Sequence, residues 1–286
     1  MEGMTRGLDT ASASPSLGAS LGQSMEPADF AGLLKRQGLY PAPGWQQMHG
    51  APAGIGAGRP EETHATTILA FKFADGVLMA GDRRATAGNT VVYDRADKVL
   101  EIDRHSLMAI AGVPATAWEM ARVLEHSFQF YRRTQLQEMS LDGKVRALSK
   151  LLRDNFGFVM QGVGIVVPIF ATYDTAARSA RLYFYDAMGA QFEATDYAVS
   201  GSGSPAVRSI LYYANTWGPR PLREISRAEA VVLALRALDT AAETDTATGG
   251  VDRRGRVYPV VKIVSGEGIA TLSEEDLANT FKTEVR

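Results

Sequence analysis

The 286-residue sequence contains no cysteine. Disulfides, thiolate metal sites and cysteine nucleophiles are therefore all excluded, and the composition fits a reducing compartment. An excess of charge of one sign is also missing. With 30 Lys and Arg against 32 Asp and Glu, the net charge is -2, which provides neither a broad basic surface for nucleic acid nor a strongly acidic one. Long hydrophobic runs are absent too: the longest, Val163 to Ala171, is interrupted by Pro168 and falls far short of the roughly 20 residues a membrane helix needs. The N-terminal stretch MEGMTRGLDTASASPSLGAS has no apolar core of a secretory signal. A cytoplasmic location is expected. Histidine is scarce, and His49, His64, His105 and His126 show no metal-ligand spacing. No Walker loop or His-Glu-x-x-His occurs, no Gly-x-Ser-x-Gly occurs from Thr66 onward, and the glycines of GIGAGR neither follow a strand nor open a helix. Zinc enzymes and serine–histidine hydrolases are thereby disfavoured, and no metal or cofactor is expected.

What is present changes character along the chain. Residues 1–65 are rich in Ser, Ala, Gly and Pro, a composition that cannot bury enough apolar surface to offset its ordering entropy, so this leader is expected to be largely disordered. Only PADFAGLLKRQG, with Phe30, Leu33 and Leu34 at helical spacing, suggests a docking patch. From Thr66 onward, strand patterns take over: TTILAFKF and GVLMAGD flank Ala74-Asp75-Gly76, where Asp-Gly predicts a hairpin with a left-handed turn. TVVYD, KVLEI and SLMAIAG continue the strands.

Two amphipathic helices follow, with apolar faces on Trp118, Ala121, Leu124, Phe128 and Tyr131, and on Leu141, Val145, Leu148 and Leu152. Strands return at GIVVPIFATYD, ARLYFYDA and YAVSG, then helices at Pro205 to Asn215 and Ser226 to Glu243, the latter opened by a capping box. A strand, VYPVVKIVS, and a short helix from Ser273 close the chain. Strands, a helix pair, strands, a helix pair, strands: this order predicts an α+β fold of stacked sheets with helices outside rather than a doubly wound one.

With Ser–His, cysteine and metal chemistry set aside, Thr66 is the candidate nucleophile. A threonine without a nearby histidine needs another base, which the free α-amine of an N-terminal Thr can be. That amine titrates at about 7.7–8.0, and a neighbouring lysine lowers it further because like charge disfavours its protonated form. Asp82 and Lys98 supply a cation and the carboxylate to hold it. Singly, each has a bland reading: Thr66 as a β-former, Asp82 as a turn cap, Lys98 as an edge residue. Their combination in one short stretch is what favours chemistry.

TTILAFKFADGVLMAGDRRATAGNTVVYDRADKV followed by AIAG resembles the start of a proteasome β subunit of the actinobacterial type, one of the N-terminal nucleophile threonine proteases, and the resemblance extends more weakly to the C-terminus. It implies a four-layer αββα sandwich over residues 66–286. The same likeness makes residues 1–65 a propeptide removed autocatalytically between Ala65 and Thr66, and DFAGLLKRQGLYP resembles the assembly-aiding propeptides of such subunits. Where the family usually has Gly before the catalytic Thr, this chain has Ala65, so slower processing is expected. The resemblance assigns Thr66 as nucleophile, Asp82 and Lys98 at the family's spacing of 16 and 32 residues onward, and Gly112 as the oxyanion-hole amide. Ser202 in SGSGSPA and Asp245 in ETDTATGG would orient the terminal amine and its water, with Thr248, where many members have Ser, and Arg84 in support. The first specificity pocket would be lined by Ala85, Ala96, Leu100, Ile110 and Pro114, which implies cleavage after apolar residues.

The implied assembly is heptameric β rings flanked by α rings, with a ring ATPase feeding unfolded protein. Two other readings remain. The simpler bacterial two-ring protease shares the TT start and the AGD-x-x-A-T-x-G-N-T motif, but lacks DTATGG and the long leader. A non-catalytic ring subunit of the same fold would generally lack the Thr-Asp-Lys set.

Overall fold

Alternation along β1 (Thr67–Phe73) sets the layering. Ile68 and Ala70 point into one core while Leu69, Phe71 and Phe73 point into another, so the strand is covered on both faces. This arrangement comes from a computed structural model, described here over residues 66–87, 90–161, 163–252, 255 and 257–285. The expectations for the leader, including the docking patch and Ala65, lie outside the described residues.

β1 forms a hairpin with β2 (Gly76–Gly81). Later strands join this sheet: β10 (Tyr197–Gly201) pairs with β1, and β11 (Val260–Ser265) pairs with β2 and carries β12 (Gly268–Thr271) on its far side. A second antiparallel sheet runs β5 (Val99–Asp103), β6 (Ser106–Ala109), β7 (Ile169–Asp174), β8 (Ser179–Tyr185) and β9 (Gln191–Glu193). Between β2 and β5 in the chain, β3 (Ala85–Ala87) and β4 (Thr90–Tyr93) make a small separate ribbon. Ile68, Ala70, Val77 and Met79 of the first sheet meet Val99, Leu107, Ile169 and Leu182 of the second in an inter-sheet core.

The outer faces of both sheets are covered by helices. α1 (Pro114–Gln135) and α2 (Leu141–Asp154) bury Ala121, Leu124, Phe128, Leu148 and Leu152 against Met108 and Phe170 of the second sheet; a single turn, α3 (Phe156–Val159), follows. α4 (Ser204–Trp217) and α5 (Arg227–Thr244) cover Leu69, Phe71 and Val261 of the first sheet, beside the short α6 (Glu274–Thr280). Helices, sheet, sheet, helices: the chain is an αββα sandwich.

Three sequence expectations are refined. The hairpin at residues 74–76 exists, but its turn is Ala74-Asp75, Gly76 already pairs with Phe73, and no left-handed residue occurs there. Glycine is required at position 76 for a different reason: a Cβ would lie 2.1 Å from the Val264 carbonyl oxygen on the neighbouring strand. The run GIVVPIFATYD becomes a strand only from Ile169, after Pro168, which has no N–H to offer a ladder. Finally, α1 buries Ala117 while Trp118 stays 44% exposed, so Trp118 is not part of the apolar face expected for it.

Candidate functional site

The site lies at the N-terminal end of β1, where the hairpin partner returns. Asp82, the first residue after β2, donates its own N–H to the Thr67 carbonyl (3.0 Å). Its side chain is fully buried, and each carboxylate oxygen has two donors. Oδ1 accepts from the Thr67 N–H and from Lys98 Nζ, both at 2.7 Å, and Oδ2 accepts from the Arg84 and Gly249 N–H groups, both at 2.9 Å. A buried carboxylate so surrounded has its acceptor capacity filled. Lys98, the residue before β5, also donates to the Arg84 carbonyl at 2.5 Å and is only 4% exposed. Burial pushes its ammonium below the ordinary lysine value, Arg84 reinforces the shift and Asp82 opposes it.

A second cluster faces the first across β1. Thr66 is 4% exposed, and its carbonyl accepts from the Ser202 N–H at 2.9 Å, with Ser202 Oγ 3.4 Å away. Asp245, which caps the C-terminal end of α5, accepts on Oδ2 from Ser202 Oγ at 2.6 Å and from Thr248 Oγ1 at 2.5 Å. Burial works against the Asp245 charge. The Ser202 and Thr248 hydroxyls, the Ala247 N–H and the nearby Lys98 outweigh it and hold the carboxyl below its ordinary value. Arg84 ties the clusters together through the carbonyls of Thr246 (2.9 Å) and Thr248 (3.3 Å).

Gly112 adopts a φ of +112°, a left-handed backbone open to glycine, and a Cβ there would sit 2.0 Å from the Ile165 oxygen. It bridges Val166. The flanking bonds, Val113 N–H to Ile165 O and Val167 N–H to Ala111 O, both 2.8 Å, make this a non-hydrogen-bonded pair, so the Gly112 N–H points away from Val166.

Thr66, Lys98 and Gly112 all line one cavity of about 270 Å³, whose walls are Ala85, Val92, Tyr93, Ala96, Ile110, Pro114 and Trp118. Four of the five expected pocket residues, Ala85, Ala96, Ile110 and Pro114, are here; Leu100 is not, and packs against the core under α1 and α2. Val92, Tyr93 and Trp118 were not foreseen. A larger, open basin of about 1130 Å³ at the far end of β1, beside Phe73 and Arg223, is polar and contains none of these groups.

Residues 62–254 match the family model described as Proteasome subunit. The chain belongs to the proteasome subunit family. Among its relatives, "Proteasome subunit beta 2" of Thermomonospora curvata is 39% identical over 226 residues, 79% of this chain and 78% of that protein. "Proteasome subunit beta" of Jonesia denitrificans is 38% identical over 220 residues, 77% of this chain and 70% of that protein. "Proteasome subunit beta" of Streptosporangium roseum is 38% identical over 242 residues, 84% and 81% of the two chains. The resemblance to an actinobacterial proteasome β subunit is thus shown, and membership implies a peptidase family whose members assemble with other proteasome subunits. No helix among the described residues is long and apolar enough to cross a membrane.

Proposed function

We propose that this proteasome β-type chain is a threonine endopeptidase whose nucleophile is Thr66, unmasked when residues 1–65 are removed. The observation that carries this reading is the buried Lys98–Asp82 pair, whose lysine lines, with Thr66 and Gly112, a single largely apolar cavity. Thr67, the rival hydroxyl, is fully buried and held between the Gly203 N–H (2.9 Å) and Thr248 Oγ1 (2.6 Å), and it does not line the cavity.

In the unprocessed chain the Thr66 nitrogen is an amide and no base. Attack of the Thr66 hydroxyl on the Ala65 carbonyl, followed by hydrolysis of the resulting ester, releases the leader and frees the amine. The mature Thr66 Oγ1 then attacks a substrate carbonyl while its proton passes to the α-amine, directly or through water. Lys98 keeps that amine from holding a proton at rest. Negative charge developing on the carbonyl oxygen faces the Gly112 N–H. Collapse breaks the C–N bond, the departing amine takes the proton, and an ester to Thr66 remains. Water, deprotonated by the α-amine, hydrolyses that ester. Ser202, Asp245 and Thr248 hold Thr66 and the water, and Arg84 braces their loop.

The cavity supports cleavage after apolar residues, because a charged side chain would lose its hydration there without a partner. The assembly favoured is heptameric β rings flanked by α rings with a ring ATPase, in the cytoplasm; enclosure would spare folded host proteins.

The deciding experiment is Thr66→Ala, co-expressed with the α subunit. Loss of peptidase activity, retention of residues 1–65 and normal assembly are expected, while wild type should mature to an N-terminus reading Thr-Thr. Activity in Thr66→Ala, or a mature end reading Thr-Ile, overturns the assignment.

A further inference from the structure

Thr67 remains unused by this mechanism, yet it touches both halves of the site. Its N–H donates to Asp82 Oδ1 at 2.7 Å, and its carbonyl accepts the Asp82 N–H at 3.0 Å. Its hydroxyl, fully buried, lies 2.6 Å from Thr248 Oγ1 and accepts from the Gly203 N–H at 2.9 Å.

Counting protons gives this network a direction. An ionised carboxylate only accepts, and a hydroxyl has one proton to give. Thr248 spends its proton on Asp245 Oδ2 at 2.5 Å, and Ser202 gives its own to the same oxygen at 2.6 Å. In the contact with Thr67, Thr248 Oγ1 can then only accept, so Thr67 is the donor. The chain runs one way: Gly203 N–H to Thr67 Oγ1–H, to Thr248 Oγ1–H, to Asp245 Oδ2, which also receives Ser202. Position 203 is fitted to it, since a Cβ there would lie 2.5 Å from Thr67 Oγ1 and 2.7 Å from Thr248 Oγ1. Hydrogen bonds in a shielded chain polarise one another, so the first donor strengthens the last.

We infer that Thr67 is a positioning residue for the Thr66 reaction: its hydroxyl fixes the donor direction of Thr248, and through Thr248 the Asp245 carboxylate that holds Ser202 against the Thr66 carbonyl. This rests on the proteolytic reading proposed above. Nothing else described supplies Thr67 Oγ1 with an acceptor for its proton, and nothing else described pairs with the Gly203 N–H. Side-chain orientation, rather than substrate binding, is what the chain controls, because Thr67 lies outside the cavity.

The test compares Thr67→Ala, Thr67→Ser, Thr248→Ala and the Thr67→Ala/Thr248→Ala double variant in the assembled, leader-free particle, with a fluorogenic apolar peptide amide as substrate. Thr67→Ala should lower kcat about tenfold with KM nearly unchanged, as expected when a buried hydrogen bond that orients reacting groups is lost. Thr67→Ser, which keeps the hydroxyl, should restore most of the rate. The double variant should fall little below Thr248→Ala, because both changes break one chain. Three results overturn the inference: full kcat in Thr67→Ala, a Thr67→Ser variant as impaired as Thr67→Ala, or multiplicative losses in the double variant. An active wild type with an inactive Thr66→Ala and an unimpaired Thr67→Ala refutes this role alone. A particle whose activity survives Thr66→Ala, or an inactive wild type, refutes the proteolytic reading and this role with it.

Discussion

At the scale of single residues, the two carboxylates respond differently to change. Replacing Lys98 by Met would leave Asp82 buried without its cation, and breaking a buried pair this way costs about 3–5 kcal/mol. A large fall in the urea midpoint, together with loss of activity, is expected. Asp245 is more accessible, and its effect is one of pH. Its folded value lies below the ordinary 3.8, so the stability it contributes is intact above that value and disappears as pH falls through the lower folded one. Ser202→Ala removes one of the donors holding it down. Acid unfolding followed by circular dichroism should then begin at higher pH than in wild type, and an unchanged acid transition would show that Ser202 does not tune the carboxylate.

Which site residues were legible follows from how each is placed. Asp82 and Lys98 could be read from sequence because they flank strands of the two facing sheets, just after β2 and just before β5, a short distance along the chain from Thr66. The cavity wall was harder. Trp118 lies one position off the buried stripe of Ala117, Ala121, Leu124 and Phe128, so helical periodicity alone assigned it to the core. Val92 and Tyr93 belong to β4, a strand exposed along its whole length, where alternation carries no information. Leu100 was assigned to the wall but faces the helices. Filling the cavity tests the wall directly. Ala96→Met should reduce cleavage after Tyr more than cleavage after Ala, measured as kcat/KM on matched peptides, because the larger side chain no longer fits.

At the scale of elements, local rules and tertiary contacts share the work. The capping box of α5 was readable from Ser226 and Glu229, and its two reciprocal bonds are present. Ser226→Ala should lower the melting temperature by a few degrees, since an orphan N–H at the helix start loses its acceptor. The β1–β2 hairpin teaches the opposite lesson. Its Asp-Gly pair signals a turn, but the glycine answers to the carbonyl of a strand more than 180 residues later in the chain. Gly76→Ala should therefore destabilise well beyond the about 1 kcal/mol typical of unfavourable glycine replacement, because β2 and β11 must separate. Short strands such as β9 and β12 escaped the sequence reading: three or four residues give too little alternation to stand out.

For the whole molecule, the order of strand and helix blocks was enough to give the layers, because helix pairs of this amphipathicity must lie on sheets and the sheets must then face each other. Sheet order and register were beyond reach, since they depend on pairings such as β1 with β10 across more than 100 residues. One shared core between the sheets makes unfolding cooperative. Leu182→Ala, at a fully buried position in that core, should cost about 2–5 kcal/mol. Trp118 on α1 and Trp217 on α4 sit on opposite outer layers, so their fluorescence changes should share one midpoint with circular dichroism; separate midpoints would mean the sheets melt independently.

The amide from Ser202 reaches the carbonyl of Thr66, which lies downstream of the proposed scissile bond. Under the proposed processing, severing the Ala65–Thr66 link would leave that tether untouched, so the new chain end would not recoil with a departing leader. The cut would then change the chemistry of the nitrogen without moving the residue that bears it, and a freshly cut subunit would need no refolding before its first turnover.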